Sequence, residues 1–201
     1  MDTIFLDLGN VLVRFDERAR VIERIVEAHK GDGKAAAAIF CNATGEKTYE
    51  FLDSGGMTHY ELWLRVCSKG GVRHDILQYD LFTALYVEHL RPIPKTVALV
   101  RKLQARYRLV AVSNGDFGSL YAARMLEAHY GIRFLRTFIS FEQGCLKPEL
   151  LSKAVCEIER DQGVKRENCI YVDDIPKYID GALALGMKGS FVFNAMEEPV
   201  A

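Results

Sequence analysis

From Leu109 onward the chain alternates short β-rich runs with helical patterns, and this alternation narrows the possible folds more than any other feature. The runs fall at 109–112, 137–141, 169–172 and 190–193, and the helical patterns between them at 118–129, 149–160 and 175–185. Apolar strands that alternate with helices are the pattern of a parallel sheet covered on both faces, because every strand is then buried on two sides. The 149–160 helix carries the matching stripe, with Leu150, Leu151, Ala154, Val155 and Ile158 on one face. Pro148 stands where a first-turn proline would, and Gly186 where a helix terminator would. A helix over 95–107 is predicted to feed the 109–112 strand, with Leu99, Val100, Leu103 and Tyr107 inward.

Residues 15–90 read differently, with no convincing strand. The 16–29 stretch is helical, with Val21, Ile22, Ile25 and Val26 on one face, and 35–40 is a short alanine-rich helix. Thr58-x-x-Glu61 is a capping-box signature opening a helix that carries Leu62, Trp63 and Val66. A further helix is predicted over 75–87, and Gly55-Gly56 and Gly70-Gly71 are breaks. Trp63, Tyr49, Tyr60 and Phe51 read as packing residues rather than substrate contacts, and His59 reads as surface. The expected organisation is a parallel α/β core of residues 1–14 and 91–201, with a helical insertion over 15–90 placed after the first strand. Strand 1 should be central.

Composition removes several function classes. The net charge is −1 and the basic residues are scattered, so bulk charge draws the chain neither to nucleic acid nor to a membrane. No stretch approaches the ~20 apolar residues of a spanning helix, and no targeting pattern is visible, so the expected location is cytoplasmic. The five cysteines are odd in number and form no C-x-x-C pair, which argues against a disulfide framework or zinc site. Cys156 and Cys169 read as core filler, and Cys145 lies two residues before Lys147.

The polar residues at the ends of the apolar runs carry the chemistry. Residues 3–13 read TIFLDLGNVLV, so Asp7 ends the first run and is followed by Gly9 and Asn10. A carboxylate there is costly unless paired or coordinated. Ser113-Asn114 and Asp173-Asp174 end two later runs, and Lys147 lies just past a third. Taken singly, the first pair also reads as a turn, Lys147-Pro148 as a helix start, and the aspartates as a helix cap. In an open parallel sheet, however, the carboxyl ends of the strands share one rim, where ligands bind. The rim would then hold three carboxylates, a hydroxyl and an ammonium. Such a set needs a cation, and oxygen-only ligands suit Mg²⁺. Metal, lysine and serine together would neutralise a phosphoryl group, leaving Asp7 as a nucleophile.

The segments FLDLGNVL, AVSNGD, CLKPELL and YVDDIPKYIDGALALGM, in this order, resemble the four motifs of the haloacid dehalogenase-like superfamily. The insertion resembles its helical type 1 cap, and the implied core is Rossmann-like. The DLGNVLV wording is most similar to the small capped phosphatases grouped with α-glucose-1-phosphate phosphatase. The resemblance implies that Asp7 is nucleophile and Mg²⁺ ligand, with the Gly9 carbonyl as a second ligand. It implies that Ser113 and the Asn114 backbone N–H hold phosphate oxygens, that Lys147 bridges nucleophile and phosphoryl group, and that Asn10 offers its backbone N–H to the phosphate. Asp174 would bind Mg²⁺ directly, with Asp173 beside it or through water.

Two departures stand out. Most phosphatases of the superfamily carry a general acid two positions after the nucleophile, where this chain has Gly9, and Tyr178 stands where relatives commonly have Asn. Asp116 and Arg14 are positional candidates for a replacement acid. The expected function is Mg²⁺-dependent hydrolysis of a small phosphorylated metabolite such as a sugar phosphate. The alternatives are a 2-haloacid dehalogenase and a catalytically weak phosphate- or protein-binding relative.

Overall fold

The computed structural model describes residues 2–40 and 48–192. Cys41 and the end of the last predicted strand, Phe193, lie outside them. The chain opens with β1 (Thr3–Leu6) and a two-residue β2 (Val13–Arg14). It then runs through α1 (Arg18–Ala28), α2 (Gly33–Ala37), a 3₁₀ turn at Ala38–Phe40, α3 (Thr48–Asp53), α4 (His59–Gly70) and α5 (Tyr79–Val87). It returns through β3 (Arg91–Pro92), which pairs antiparallel with β2, and continues into α6 (Pro94–Leu103). The rest is β4 (Arg108–Ser113), α7 (Phe117–Tyr130), β5 (Phe134–Ile139), α8 (Ser140–Gln143), α9 (Glu149–Gln162), β6 (Cys169–Asp173), α10 (Pro176–Ala184) and β7 (Gly189–Val192). No described helix is long and apolar enough to cross a membrane.

Five strands form one parallel sheet in the order β5-β4-β1-β6-β7, with β1 in the middle. Alternation along the strands sends side chains to two separate apolar layers. Phe5, Val110, Val112 and Tyr171 join the α9 stripe of Leu150, Leu151, Ala154, Val155 and Ile158. Ile4, Leu6, Leu109 and Ala111 face the other way, into a layer continuous with Val21, Ile22, Leu62, Trp63 and Phe82 of the helical insertion. Among the described residues, the insertion contains no strand.

Several sequence expectations are corrected. The 137–141 run begins earlier, as β5, and Phe141 belongs to α8; β5 is an edge strand whose Leu135 and Arg136 meet solvent, so its apolar run is broken. The inward face of α6 is Thr96, Val97 and Val100, which leaves Leu99 53% exposed. Cys156 lies off the apolar stripe of α9 and is exposed, whereas Cys169 is buried. Pro148 is the N-cap of α9 rather than a first-turn residue, and its peptide bond with Lys147 is cis. His59 is buried, its ring stacked on Phe117 with centroids 4.6 Å apart.

Candidate active site

The sheet delivers Asp7, Ser113 and Asp173 to its carboxyl rim, because β1, β4 and β6 are adjacent and parallel. Pairing continues one step past β1, where the Asp7 N–H donates to the Val172 carbonyl at 2.9 Å, so Asp7 is fixed by backbone. Lys147 reaches in from the segment before α9. Its Nζ lies 2.7 Å from Asp173 Oδ2 and 3.1 Å from Asp7 Oδ1. All of Asp7, Ser113, Lys147 and Asp173 are buried.

Asp173 is fully engaged. Oδ2 accepts from Lys147 and from the Tyr171 hydroxyl, and Oδ1 accepts from the Ile175 N–H at 2.9 Å. Its carboxylate therefore anchors the lysine and starts the turn into α10. Tyr171 escaped sequence reading, although its place two residues before Asp173 on one strand puts both on the same face. Asp7 and Asp174 are less committed. Asp7 Oδ1 makes no hydrogen bond beyond its ion pair, and Asp174 Oδ2 accepts only from Asn10 Nδ2, at 3.1 Å, among the described contacts. Oxygens of Asp7, Asp173 and Asp174 lie within 4.8 Å of one another.

The electrostatics follow from this geometry. Burial pushes the Asp7 carboxyl up to about 6; Lys147 pulls against it, Asp173 adds to it, and a hydrogen bond from Ser113 lowers it. Burial also pushes Asp174 up. Desolvation would lower Lys147, but Asp7 and Asp173 outweigh it and hold the ammonium above its usual range.

Asn114 frames the site with its side chain. Its Oδ1 accepts the Lys147 backbone N–H at 2.8 Å, and its Nδ2 donates to the Tyr178 hydroxyl at 3.1 Å. The Tyr178 ring centroid lies 4.6 Å from Lys147 Nζ, so the tyrosine that departs from the family wording lies against the lysine. Asn10 adopts a left-handed φ of 54°, which asparagine tolerates. Its backbone N–H, expected to meet a phosphate, instead donates to the Val13 carbonyl at 2.8 Å, and its side chain reaches Asp174. Gly9 stands two residues past Asp7. A Cβ there would lie 3.7 Å from Asp7 Oδ2 and 3.9 Å from Phe15, in ordinary contact.

Neither candidate replacement acid fits the role. Asp116 is buried as the N-cap of α7, with Oδ1 accepting from Gly118 N–H at 2.8 Å and Oδ2 from the Tyr86 hydroxyl at 2.5 Å. Burial raises its carboxyl, but Arg18, Tyr86 and the Gly118 N–H together hold it below the usual range, so it has no proton to give at neutral pH. Arg14 is exposed at the end of β2. The support of the 113–116 loop by Ser140, Tyr86 and Arg18 has no local sequence signal, since each lies 25 or more positions from the loop residue it contacts.

The model of haloacid dehalogenase-like hydrolases matches residues 1–186. No curated protein matches the sequence. Among solved structures, a HAD family enzyme of Bacteroides thetaiotaomicron superposes with a TM-score of 0.72 at 19% identity, over 98% of this chain and 96% of that one. The same enzyme in complex with magnesium and inorganic phosphate gives 0.70 at 17% identity, over 100% and 98%. The L-2-haloacid dehalogenase PA0810 gives 0.64 at 19%, over 96% and 84%. With that match spanning β1 through α10, the chain belongs to the haloacid dehalogenase-like hydrolases.

Proposed function

We propose that this hydrolase is a Mg²⁺-dependent phosphomonoesterase acting on small phosphorylated metabolites, sugar phosphates among them, with residues 15–90 as its cap. The observation that carries this reading is the charge balance at the rim. Three clustered carboxylates face one ammonium, and that ammonium is bonded to two of them. One cation shared by Asp7 and Asp173 cannot balance three anions, and burial disfavours the anionic form of both Asp7 and Asp174. A hard cation on their free oxygens fits this donor set, with the Gly9 carbonyl as a further ligand and Asp173 alongside. When bound, Mg²⁺ would neutralise charge on the nucleophile and the phosphoryl group. The magnesium and phosphate held by the Bacteroides enzyme support the same reading.

In this mechanism an Asp7 oxygen attacks phosphorus, the new Asp7 O–P bond forms, and the bond to the leaving oxygen breaks. Lys147, Ser113 and the Asn114 backbone N–H take the charge on the phosphoryl oxygens. Gly9 supplies no proton, so the leaving oxygen departs as an anion or takes its proton from water. Water then attacks phosphorus, and inorganic phosphate leaves with Asp7 regenerated.

Turnover of p-nitrophenyl phosphate with and without Mg²⁺, run beside chloride release from 2-haloacids, tests the assignment. Phosphate release that depends on Mg²⁺ supports it. Chloride release without metal would assign a dehalogenase, and silence in both arms a binding protein.

A further inference from the structure

The loop between β4 and α7, residues 113–116, is held from the core and from the helical insertion at once. On the core side, Gly115 N–H donates to Ser140 Oγ at 2.9 Å, and Gly115 carbonyl accepts from Phe141 N–H at 3.3 Å. On the insertion side, Asp116 accepts from Tyr86 of α5 and pairs with Arg18 Nε of α1 at 3.4 Å. Arg18 Nη2 also binds Asp53, at the end of α3, at 2.8 Å. Two residues later Gly55 takes a left-handed φ of 79°, and a Cβ there would stand 2.3 Å from the Phe141 carbonyl oxygen. Only glycine permits this close approach. The contacts therefore close a ring: Arg18 to Asp116, along the loop to Gly115, to Phe141, to Gly55, and through Asp53 back to Arg18.

We propose that Arg18 is a positioning residue that couples the cap to the phosphate loop, holding Asp116 through Nε and Asp53 through Nη2 of its guanidinium. It touches neither nucleophile nor phosphate. Its effect is on where Asn114 and Gly115 stand relative to Lys147. Without it, the buried Asp116 and the half-buried Asp53 lose their shared cation, and the loop and the cap turn both lose their common anchor. This inference rests on the phosphatase reading of the site.

The test is the affinity of the intact protein for inorganic phosphate in saturating Mg²⁺, by calorimetry well below the melting temperature, together with KM and kcat for p-nitrophenyl phosphate. Inorganic phosphate has no leaving group for the cap to contact, so a cap residue changes its affinity only through the loop. Arg18→Gln is expected to weaken phosphate binding about 5- to 50-fold and to raise KM by a similar factor, a coupling of ordinary allosteric size. Tyr86→Phe removes one hydroxyl and no charge, and is expected to weaken phosphate binding about threefold with the fold intact. Arg20→Gln, which breaks an exposed pair with Glu17, should change neither quantity. If Arg18→Gln fails to fold, the Tyr86→Phe result decides. Folded variants that bind phosphate as the parent does would overturn the coupling alone. A parent protein that neither binds phosphate nor hydrolyses phosphoesters would overturn the phosphatase reading, and the coupling with it.

Discussion

Asp7 is held out of water beside a second buried carboxylate, and its carboxyl is pushed from 3.8 up to about 6. A folded-state value above the unfolded one means that the native state binds the proton more tightly. The stability this group contributes is present below pH 3.8 and is lost as pH rises through 6. Metal-free Asp7→Asn is therefore expected to be more stable than the parent at pH 7 by about 1–3 kcal/mol, and equal to it at pH 3.5, by denaturant melts. Lys147 keeps Asp173 as a partner in that variant. The same substitution should abolish turnover, since an amide cannot form the acyl phosphate. At Gly9 the expectation concerns rate alone. With Asp116 ionised and bonded and a glycine at position 9, aryl and anomeric phosphates should outrun alkyl phosphates steeply with leaving-group pKa. Gly9→Asp has room for its Cβ and should help alkyl substrates most. A flat dependence with chemistry rate-limiting would mean that another donor exists. The grouping of Asp7, Ser113, Lys147, Asp173 and Asp174 was readable in the sequence, because each follows an apolar run. The resemblance implied different roles for Asp173 and Asp174, but the contacts that engage Asp173, from the Tyr171 hydroxyl and the Ile175 N–H, were not legible in the sequence.

Helix boundaries show where local chemistry speaks and where it does not. The Thr58-x-x-Glu61 signature is realised in full: Thr58 Oγ1 accepts from Glu61 N–H at 3.1 Å, and the Glu61 carboxylate accepts from Thr58 N–H at 2.8 Å. Thr58→Ala should cost about 1 kcal/mol of stability in urea melts and leave kcat unchanged. The next helix was expected from residue 75 but begins at Tyr79. Asp75 instead binds Arg73 through both carboxylate oxygens, and the Ile76 N–H donates to the Arg73 carbonyl, so a separate turn precedes α5. Apolar periodicity alone cannot divide such a turn from the helix it leads into. The early start of β5 was hidden for a different reason, since an edge strand needs to be apolar only where the sheet covers it.

The insertion and one face of the sheet share a single apolar layer, and His59 sits within it among Tyr79, Phe82, Tyr86 and Phe117. A lone histidine beside a capping threonine looks like surface in sequence; only the docking of α4 and α5 against α7 encloses it. Both ring nitrogens lack a hydrogen-bond partner. Burial lowers its pKa from 6.5 to about 4, although Asp116 pulls the other way. Here the unfolded chain takes up the proton first. The contribution of His59 is thus complete above pH 6.5 and is lost as pH falls towards 4, by up to about 3 kcal/mol. Asp7 and Asp53, both raised to about 6, act in the opposite sense over much of the same range and mask the slope in the parent protein. His59→Phe keeps the ring stack, removes two unsatisfied nitrogens and removes the titration. It should therefore gain stability relative to the parent steadily between pH 6.5 and pH 4, with a smaller gain of about 1 kcal/mol already present at pH 7. Paired urea melts across that range measure the difference directly. Parallel pH profiles for the two proteins would show that the imidazole is solvated when the cap is seated, and that α4 does not close on α7 as described.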